Sequence, residues 1–339
     1  MMPLVFMTPK RGAAPIVPVG SHRYWRLNIA SAYGVHNPAS PGPANYFCNI
    51  NALQMFETAG GGNVCSGGTP FSTTVYGANA VGRAFDTDWS LVCSLSPGGA
   101  VADPWTSGTV CIGYDFGSSN DKEITAVSLM SDISASAQDG GAFTYQAAPE
   151  DFDVQYSDNN STWTTAWSVT GDAEPWHRNE ARLFVNPSYT YSGSFWGAHA
   201  YWRTTFARSS GNEQCAEVDY RATPGGADQA TGGTVTGSSQ FNGTLSIAAG
   251  MDNNAASKWV RASAGTYPHF LSYAFTGAVS VAQLMLQASP DSGGAGEMPP
   301  DGTIFFSDDG TNWYPAFSFR NQTTWSTGEV RGLTDPYYV

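Results

Sequence analysis

The sequence predicts an all-β fold built from two tandem copies of one module. The chain has 339 residues, a length that accommodates about two domains. It contains 38 glycines, and 13% of its residues are charged, about half the usual share. This composition is typical of short strands joined by turns. The tandem arrangement follows from a motif that occurs twice, at residues 157–163 (SDNNSTW) and 307–313 (SDDGTNW).

Each copy of this motif marks a β-hairpin. The runs before it, residues 152–156 and 303–306, are typical of strands. Asp, Asn and Gly tolerate left-handed backbone angles and suit the tight turn that follows. A Trp then opens the next strand. Four tryptophans recur at such positions, and we expect all of them in the core: Trp25, Trp163, Trp202 and Trp313.

The other landmarks of the first copy also predict strands. Residues 22–29 alternate apolar and polar side chains, as a half-buried strand does. Residues 32–68 are rich in Gly, Pro, Asn and Ala, and we interpret them as long loops. Residues 110–117 and 123–129 are two further alternating runs before the hairpin.

The same order recurs in the second copy. Trp202 lies 177 residues after Trp25, whereas Trp313 lies 150 residues after Trp163, so the second copy is the shorter one. Loops absorb such differences at low cost. The matching segments of the second copy are residues 199–206, 251–259, 270–275 and 279–286.

These landmarks divide the chain into four parts. Residues 1–20 carry four prolines without a period and are predicted to form an extended N-terminal arm that packs on a neighbour. The first β-sandwich spans residues 21–170 and the second spans residues 199–339. Residues 171–198 form an aromatic-rich linker, which we expect to pack on the modules because aromatic side chains do not suit a free tether.

The charge balance limits the possible partners. The formal net charge is −13, and Lys and Arg together number 15. Nucleic-acid binding depends on clustered cations that displace counterions from phosphates, and the sequence has no such cluster. An anionic membrane surface is disfavoured for the same reason. We therefore expect neutral glycans, cations or other proteins as partners, without nucleic acid or membrane insertion.

The cysteines and the N-terminus bear on where the protein is made. Cys48, Cys65, Cys93, Cys111 and Cys215 form no C-x-x-C pair, and their odd number leaves at least one thiol unpaired in a monomer. Free buried thiols in a reducing cytoplasm are one interpretation, and a disulfide among the first four is the other. The apolar run at the N-terminus is too short for a secretory signal. No apolar run in the sequence approaches the length of about 18 residues that is needed to span a bilayer. Action outside a cell would then require lysis or export in a particle.

The order of landmarks resembles the discoidin or coagulation-factor type C family, within the galactose-binding-like jelly rolls. That family has Y-W-R near its start, an aspartate segment before a Trp, a strand ending like V-D-L-G, and S-x-D-G-x-x-W. The first copy fills these positions with residues 24–26 (YWR), 86–89 (DTDW), 114–117 (YDFG) and 157–163. The second copy fills them with residues 201–203, 252–254 with Trp259, 273–275 and 307–313. It departs at Ala274, where the family has an aspartate. The motifs are short, but together they cover most of both halves.

The resemblance implies two tandem jelly-roll β-sandwich domains. Tandem copies with a Y-W-R start and no secretory signal look like virion proteins of tailed bacteriophages, where such modules decorate tails and heads. A protein of that kind is synthesised in the host cytoplasm and joins the virion. There it contacts other virion proteins and itself, in a symmetric homo-oligomer such as a trimer. The resemblance also implies structural calcium at the aspartate segments, with a plain Asx turn as the alternative; these residues are Asp86, Asp88 and Asp252.

Jelly-roll modules present loops at one end, where aromatic rings can stack on sugars and polar side chains can bond hydroxyls. The candidate is the loop after the first strand of each copy. In the first copy it offers Tyr33, His36, Asn45 and Tyr46. In the second copy it offers Arg208, Glu213, Asp219 and Tyr220. The alternative is that these side chains cover the end of the sandwich or a contact between subunits.

No catalytic pattern stands out. The sequence lacks an H-E-x-x-H motif and a G-x-S-x-G elbow, and His22 and His199 hold equivalent positions, which favours a shared structural role. We therefore predict a non-enzymatic virion structural and adhesion protein, in a tail fibre, tail tip or head appendage, that binds host glycans. The alternative is a secreted, lectin-like carbohydrate-binding protein outside any particle. A depolymerase, the third hypothesis, requires acidic residues paired in a groove.

Overall fold

The computed structural model describes residues 19–32, 48–73, 75, 79–88, 92–95, 110–132, 147–170, 176–206, 213–262, 269–291, 293 and 295–339. These residues form antiparallel β-sheets joined by turns, which confirms the all-β prediction. The first ten strands are β1 Tyr24–Ala32, β2 Cys48–Ile50, β3 Ala52–Phe56, β4 Thr69–Ser72, β5 Cys93–Leu95, β6 Val110–Asp115, β7 Ala126–Met130, β8 Pro149–Ser157, β9 Thr164–Val169 and β10 Ala181–Val185. The next ten are β11 Ala198–Phe206, β12 Gln214–Cys215, β13 Glu217–Arg221, β14 Thr234–Gly237, β15 Trp259–Val260, β16 His269–Ser280, β17 Gln283–Gln287, β18 Gly302–Ser307, β19 Tyr314–Phe319 and β20 Val330–Thr334.

The strand order repeats with a period of ten strands. In the first repeat, β1–β10, a five-stranded large sheet has the order β4-β6-β1-β8-β9 and a three-stranded small sheet has the order β10-β7-β3. In the second repeat, β11–β20, the large sheet is β14-β16-β11-β18-β19 and the small sheet is β13-β17-β20. The two-stranded pairs β2-β5 and β12-β15 also correspond. The tandem arrangement that the two hairpin motifs predict is therefore visible in the pairing of the strands.

Each repeat is a β-sandwich whose core lies between its large and small sheets. Ser31 and Ala32 at the end of β1 are buried. Along the rest of the strand the buried residues are Trp25, Leu27 and Ile29, every second residue, as the strand period of two requires. These side chains share one buried cluster with Leu53 and Leu129 of the small sheet. The second repeat has the same arrangement around Trp202, Tyr220, Leu284 and Leu286.

The two equivalent histidines make equivalent contacts. The His22 ring stacks on Tyr156 with 3.8 Å between centroids, while its Nδ1 lies 2.9 Å from Asp158 Oδ1 and its Nε2 lies 3.1 Å from Val19 O. In the second repeat the His199 ring has the same three kinds of neighbour, at 3.9 Å from Phe306, 3.0 Å from Asp308 Oδ1 and 2.7 Å from Trp196 O. Both histidines thus fix the start of the large sheet to the hairpin beside it. The expected shared structural role is confirmed.

The hairpin turns are held by an Asx contact of the predicted kind. In the first repeat Asn159 Oδ1 accepts hydrogen bonds from the N–H groups of Ser161 and Thr162, both at 2.9 Å. In the second repeat Asp309 Oδ1 accepts from Thr311 and Asn312 at 2.8 and 2.7 Å. These donors hold the pKa of Asp309 far below its ordinary value, because they stabilise the carboxylate.

Strands β3 and β13 lie where the sequence predicted loops. Residues 32–68 contain β2 and β3, and the predicted ligand loop of the second copy contains β12 and β13. All five residues of β3 are buried, so no polar alternation marks it in the sequence. In β13, by contrast, Glu217, Asp219 and Arg221 alternate with Val218 and Tyr220, and this alternation does indicate a strand.

The predicted linker, residues 171–198, contains β10. This strand completes the small sheet of the first repeat by pairing with β7, as β20 pairs with β17 in the second repeat. The segment before β10 carries the pattern W-x-x-x-E-x-R, which recurs before β20. The pattern consists of Trp176, Glu180 and Arg182 in the first repeat and Trp325, Glu329 and Arg331 in the second.

In both repeats this closing segment has the same internal contacts. The Arg182 guanidinium lies 4.1 Å from the centroid of the Trp176 ring, and its Nε donates to Glu180 Oε1 at 3.0 Å. Arg331 lies 4.1 Å from the centroid of Trp325, and its Nε donates to Glu329 Oε1 at 2.7 Å. A cation over an aromatic face and an ion pair therefore anchor the last strand of each repeat.

The two repeats pack on each other through the small sheet of the first and the large sheet of the second. Phe56 and Leu183 of the first repeat belong to the buried cluster that forms the core of the second. Met130 packs against Phe305 and Trp313 on the outer face of the second large sheet. The contact is therefore a continuation of the core and not a flexible junction.

The second repeat also covers the free edge of β10. An unpaired strand edge offers backbone donors that invite pairing with another chain. Here the N–H of Ala181 donates to Ser318 Oγ at 2.8 Å, and the N–H of Leu183 donates to Tyr337 Oη at 2.8 Å. Side chains of the second repeat thus accept hydrogen bonds from the backbone N–H groups that the edge of the first repeat leaves unpaired.

Three of the four tryptophans predicted in the core are buried. Trp25 and Trp202 are fully buried and Trp313 is 6% exposed. The prediction is wrong for Trp163, which is half-buried on the outer face of the first large sheet, where the Arg26 guanidinium lies 3.9 Å from its ring centroid. In the second repeat the corresponding face is covered by the first repeat, whereas in the first repeat no described part of the chain covers it. Of the predicted arm, residues 1–20, only Val19 and Gly20 lie within the described residues.

Candidate functional site

The structure describes part of the predicted ligand set. Tyr33, His36, Asn45, Tyr46 and Arg208 lie outside the described residues. The other members of that set, Glu213, Asp219 and Tyr220, are described, and they do not lie together on a loop.

Two of these three side chains are fully buried, which contradicts their predicted role at a ligand-binding surface. Glu213 has no exposed surface, and its Oε2 lies 3.8 Å from Arg261 Nε. Tyr220 points into the core, where its hydroxyl bonds Thr204 Oγ1 at 3.0 Å. Burial raises the pKa of Tyr220 well above its ordinary value, so the hydroxyl stays protonated.

Asp219 lies on the opposite, solvent-facing side of the second small sheet. It is half-buried there between Glu217 and Arg221 of the same strand, because side chains two residues apart share a face. The Arg221 Nη2 donates to Asp219 Oδ2 at 2.9 Å. Strand β17 lies beside β13 and brings Met285 opposite Asp219.

An open cavity of about 240 Å³ lies over this face. It is smaller than the roughly 300–1,000 Å³ of sites for drug-sized ligands, so it accommodates one small ring or a side-chain-sized group. Its walls combine carboxylates, amides, a guanidinium and apolar groups. The lining residues are Glu217, Asp219, Arg221, Asn253, Ala255, Met285, Gln287 and Val330. We call this space the β13–β20 cavity.

Glu217 dominates the electrostatics of the β13–β20 cavity. Its residue is 8% exposed. Its pKa is raised to about 7, mainly by burial and also by the nearby carboxylates of Asp219 and Asp252, although the backbone N–H groups of Asn254 and Val218 act to lower it. Burial also raises the pKa of Asp219, which its bond to Arg221 opposes. The site therefore holds two carboxyl groups whose charged forms lack full compensation.

The aspartate segment of the second repeat reaches the edge of this cavity. The N–H of Asn254 donates to Asp252 Oδ1 at 2.9 Å and also to Glu217 Oε2 at 3.2 Å. Asn253, in the same turn, lines the cavity and has a left-handed backbone, with φ +58°. The structure thus brings together Asp219 and Asp252, which the sequence assigned to different roles, and adds Glu217, which the sequence analysis missed.

The aspartate segment of the first repeat lies elsewhere, at the contact between the repeats. Asp86 Oδ1 accepts a hydrogen bond from the N–H of Asp88 at 3.0 Å, and between them Thr87 donates to Asn312 Oδ1 at 3.1 Å. Both segments therefore form Asx turns.

Calcium at these turns stays a prediction. Among the described residues no group of three or more His, Cys, Asp or Glu side chains is placed to hold a metal ion. Melting in calcium chloride and in chelator tests the point. Calcium binding would raise Tm by an amount that Asp252→Ala reduces, and the Asx-turn alternative gives no shift.

The corresponding face of the first repeat shows that a small sheet can fold with other residues at the positions of Glu217, Asp219 and Arg221. Ala52, Gln54 and Phe56 occupy the positions of Glu217, Asp219 and Arg221, by their pairing with the central strand of each small sheet. In the first repeat this face is mostly apolar and is buried against the second repeat, with Gln54 and Ser128 as buried polar side chains within it. A comparison of residues 52–56 (ALQMF) with residues 217–221 (EVDYR) is the sequence signal that could have found the site.

The arrangement can bind a small polar ligand. Carboxylates accept hydrogen bonds from hydroxyl or ammonium groups, amides of Asn253 and Gln287 both donate and accept, and Met285 offers an apolar wall. In the described part of the chain no helix is long and apolar enough to cross a bilayer. No family model, no curated protein and no solved structure matches the chain.

Proposed function

We propose that this protein is a non-enzymatic structural and adhesion protein of a tailed-bacteriophage virion, in a tail fibre, tail tip or head appendage, and that it binds host surface glycans. The observation that supports the proposal most is the contrast between the two small sheets. One is mostly apolar and packs the repeats together, and the other is polar, open and carries the β13–β20 cavity. A rigid tandem unit with one recognition face suits an appendage that must transmit force and contact a surface.

The thiols support synthesis in a reducing cytoplasm. All five cysteines are buried and free, so the alternative of a disulfide among the first four has no support in the structure. Burial raises the pKa of Cys65 and Cys215 well above the ordinary value of a thiol, which makes them poor nucleophiles. A secreted lectin of this size more often carries disulfides.

The partners we propose are other virion proteins and further copies of this chain, in a symmetric homo-oligomer such as a trimer. The outer face of the first large sheet, which the described residues leave uncovered, supports this part of the proposal. It carries Arg26 over Trp163, with Phe71 at 6.0 Å from that ring. Aromatic side chains and Arg are enriched in protein interfaces. The equivalent face in the second repeat, with Arg203 over Trp313 at 3.7 Å, is the one that the first repeat covers.

A second candidate is a glycan-cleaving enzyme, because Glu217 and Asp219 are paired in the cavity. Glycoside hydrolysis uses one carboxyl group with a raised pKa, as Glu217 has, beside a second carboxyl group, as Asp219 is, that bonds a cation. Release of reducing ends from host polysaccharide, lost in both Glu217→Gln and Asp219→Asn, would favour this candidate. Binding without release favours adhesion.

The proposal is tested by the mass of the full-length protein in solution and by its presence in particles. Light scattering is expected to give a symmetric oligomer, and a variant lacking residues 1–20 is expected to lose it. An antibody against the protein should label purified virions. A monomer that is indifferent to the arm and absent from particles would contradict the proposal and favour the secreted lectin-like alternative.

A further inference from the structure

We propose that the β13–β20 cavity binds the protonated amine of an amino sugar, with the carboxylate of Glu217 as the group that holds the ammonium. This inference rests on the proposed function and deepens it, since it names the chemistry of the glycan. It is carried by the geometry of Glu217, by the charges around it and by the shape of the cavity.

Glu217 is held by backbone donors and has no cation beside it among the described residues. Its Oε2 accepts the N–H of Asn254 at 3.2 Å, and the backbone N–H of Val218 also stabilises the carboxylate. The side chain lines the cavity, although the residue is only 8% exposed. Buried carboxylates are normally paired with a cation or with several donors. A cationic ligand in the cavity supplies the partner that the described chain lacks.

No cation of the described chain neutralises Glu217. The nearest guanidinium in the cavity, Arg221, is paired with Asp219 at 2.9 Å. The carboxyl groups that face Glu217 are Asp219 on its own strand and Asp252 on the adjoining turn, and both oppose its ionisation. Three carboxyl groups thus share one guanidinium. A ligand with a positive charge gains from this field, whereas a uronic or sialic acid is repelled by it.

Folding does not require a carboxylate at this position. The first repeat has Ala52 at the position of Glu217 and Leu183 at the position of Gly332, by their pairing in the small sheet. The second repeat therefore has no side chain, at Gly332, where the first repeat has the side chain of Leu183. A Cβ at Gly332 would meet Met285 Sδ at 3.0 Å and Gln283 Nε2 at 2.8 Å, both of them flexible side chains. The cavity and its charge are thus additions to the common sandwich.

The remaining walls suit a sugar ring better than a bare ion. Met285, Val330 and Ala255 present apolar surface to the C–H face of a ring, and the amides of Asn253 and Gln287 can bond its hydroxyls. A calcium ion, by contrast, needs six to eight oxygen ligands, and the described residues offer no group of three acidic side chains placed for a metal.

The test is titration of the full-length protein, by calorimetry and by NMR of the methionine methyl groups. The probes are glucosamine, glucose, N-acetylglucosamine, glucuronic acid and calcium chloride. We expect glucosamine to bind at least tenfold more tightly than glucose or N-acetylglucosamine, and glucuronic acid not to bind. Because an ammonium stabilises the carboxylate, binding near pH 7 should release a fraction of a proton from Glu217, seen as a dependence of the heat on the buffer.

Three variants locate the binding. Glu217→Gln keeps the shape of the side chain and is expected to weaken glucosamine at least tenfold and to abolish proton release. Gly332→Leu, which copies the residue of the first repeat, is expected to fill the cavity and block binding. Asp153→Asn makes the same charge change on the first large sheet and is expected to bind like the wild type. Circular dichroism establishes that all three are folded.

Several results would overturn the inference: equal affinity for glucose and glucosamine, unchanged binding by Glu217→Gln, or calcium alone competing for the cavity. Failure of this inference can be distinguished from failure of the proposed function. If wild type and cavity variants bind glycans equally, adhesion stands and its site lies elsewhere. If the protein is also absent from virions and monomeric, the proposed function fails independently of the cavity.

Discussion

Asp335 occupies in the second repeat the position that Asn186 occupies in the first, directly after the last strand of each small sheet. Each side chain accepts the N–H two residues further on, from Ser188 and from Tyr337 respectively, both at 2.9 Å. The local geometry is therefore the same, but Asp335 is a carboxyl group that is 1% exposed; the Trp196 indole favours its charged form, and its Oδ2 makes no hydrogen bond of normal geometry. At the scale of one residue, the repeats supply matched pairs in which one change can be measured against its counterpart.

Asp335→Asn is expected to stabilise the protein at high pH. Burial raises the pKa of Asp335 to about 7 in the native state from 3.8 in the unfolded chain. Between these values the native state binds more protons, so the free energy of unfolding falls as pH rises and the loss is complete above pH 7. The variant should gain about 1–3 kcal/mol at pH 8 and little at pH 4.

Urea unfolding at both pH values measures this difference. The reciprocal change, Asn186→Asp, is expected to lower stability at pH 8. Asn186 is 7% exposed, so the new carboxylate would be buried there too. A loss of stability in Asp335→Asn at pH 8 would show that the carboxyl group has a favourable partner in the native state.

At the scale of one element, the closing segment W-x-x-x-E-x-R makes the same contacts in both repeats, buried in the first and more exposed in the second. Arg182 and Glu180 have side chains that are 9% and 7% exposed, and Arg320 of the second repeat also lies 3.4 Å from Glu180. Arg331 and Glu329 are 23% and 32% exposed. The same contacts are therefore expected to differ in energy, since solvent weakens the exposed pair.

Arg182→Ala is expected to destabilise the protein by about 2–4 kcal/mol, because it leaves Glu180 buried with a weaker partner and uncovers Trp176. Arg331→Ala is the matched control, with an expected cost of about 1 kcal/mol or less. Chemical denaturation of both variants at pH 7 and low salt gives the comparison. Equal costs would mean that the contact between the repeats does not bury the Arg182 pair in solution.

The elements also show what the sequence could predict and what it could not. Strands with polar and apolar alternation, such as β1 and β8, were predicted within a few residues, because one face meets the core and the other meets water. Strand β3 was missed because both its faces are buried, one of them by the other repeat. A comparison of the two repeats could have singled out the charged strand β13, but not the whole cavity, because Glu217, Met285 and Val330 come from three strands far apart in sequence and only their pairing brings them together.

At the scale of the whole molecule, the two repeats differ mainly in the faces that do not form their cores. The outer face of the second large sheet carries Phe305, where the first carries Gln155; both pair with the arginine that covers a Trp, Arg203 and Arg26 respectively. Apolar side chains thus mark the faces that meet, and polar side chains mark those that remain open.

The shared interface predicts that the two repeats unfold together. Phe305 is 2% exposed and packs with Ala52 and Met130 of the first repeat. Scanning calorimetry of the wild type should therefore show one transition, with equal calorimetric and van't Hoff enthalpies. Phe305→Gln places the residue of the open face in the buried one and is expected to cost about 3 kcal/mol or more. Because this loss falls on the contact between the repeats, the trace should separate into two transitions.

Gln155→Ala is the control for this experiment, since it changes the equivalent position on the open face of the first repeat. It removes the acceptor of one hydrogen bond from Arg26, at 2.9 Å, and is expected to shift stability by about 1 kcal/mol or less without splitting the transition. Two transitions in the wild type itself would contradict the prediction. Each sandwich would then be stable on the core between its own sheets, and the apolar faces of Phe305 and Met130 would serve to orient the polar face of the second repeat and not to stabilise the fold.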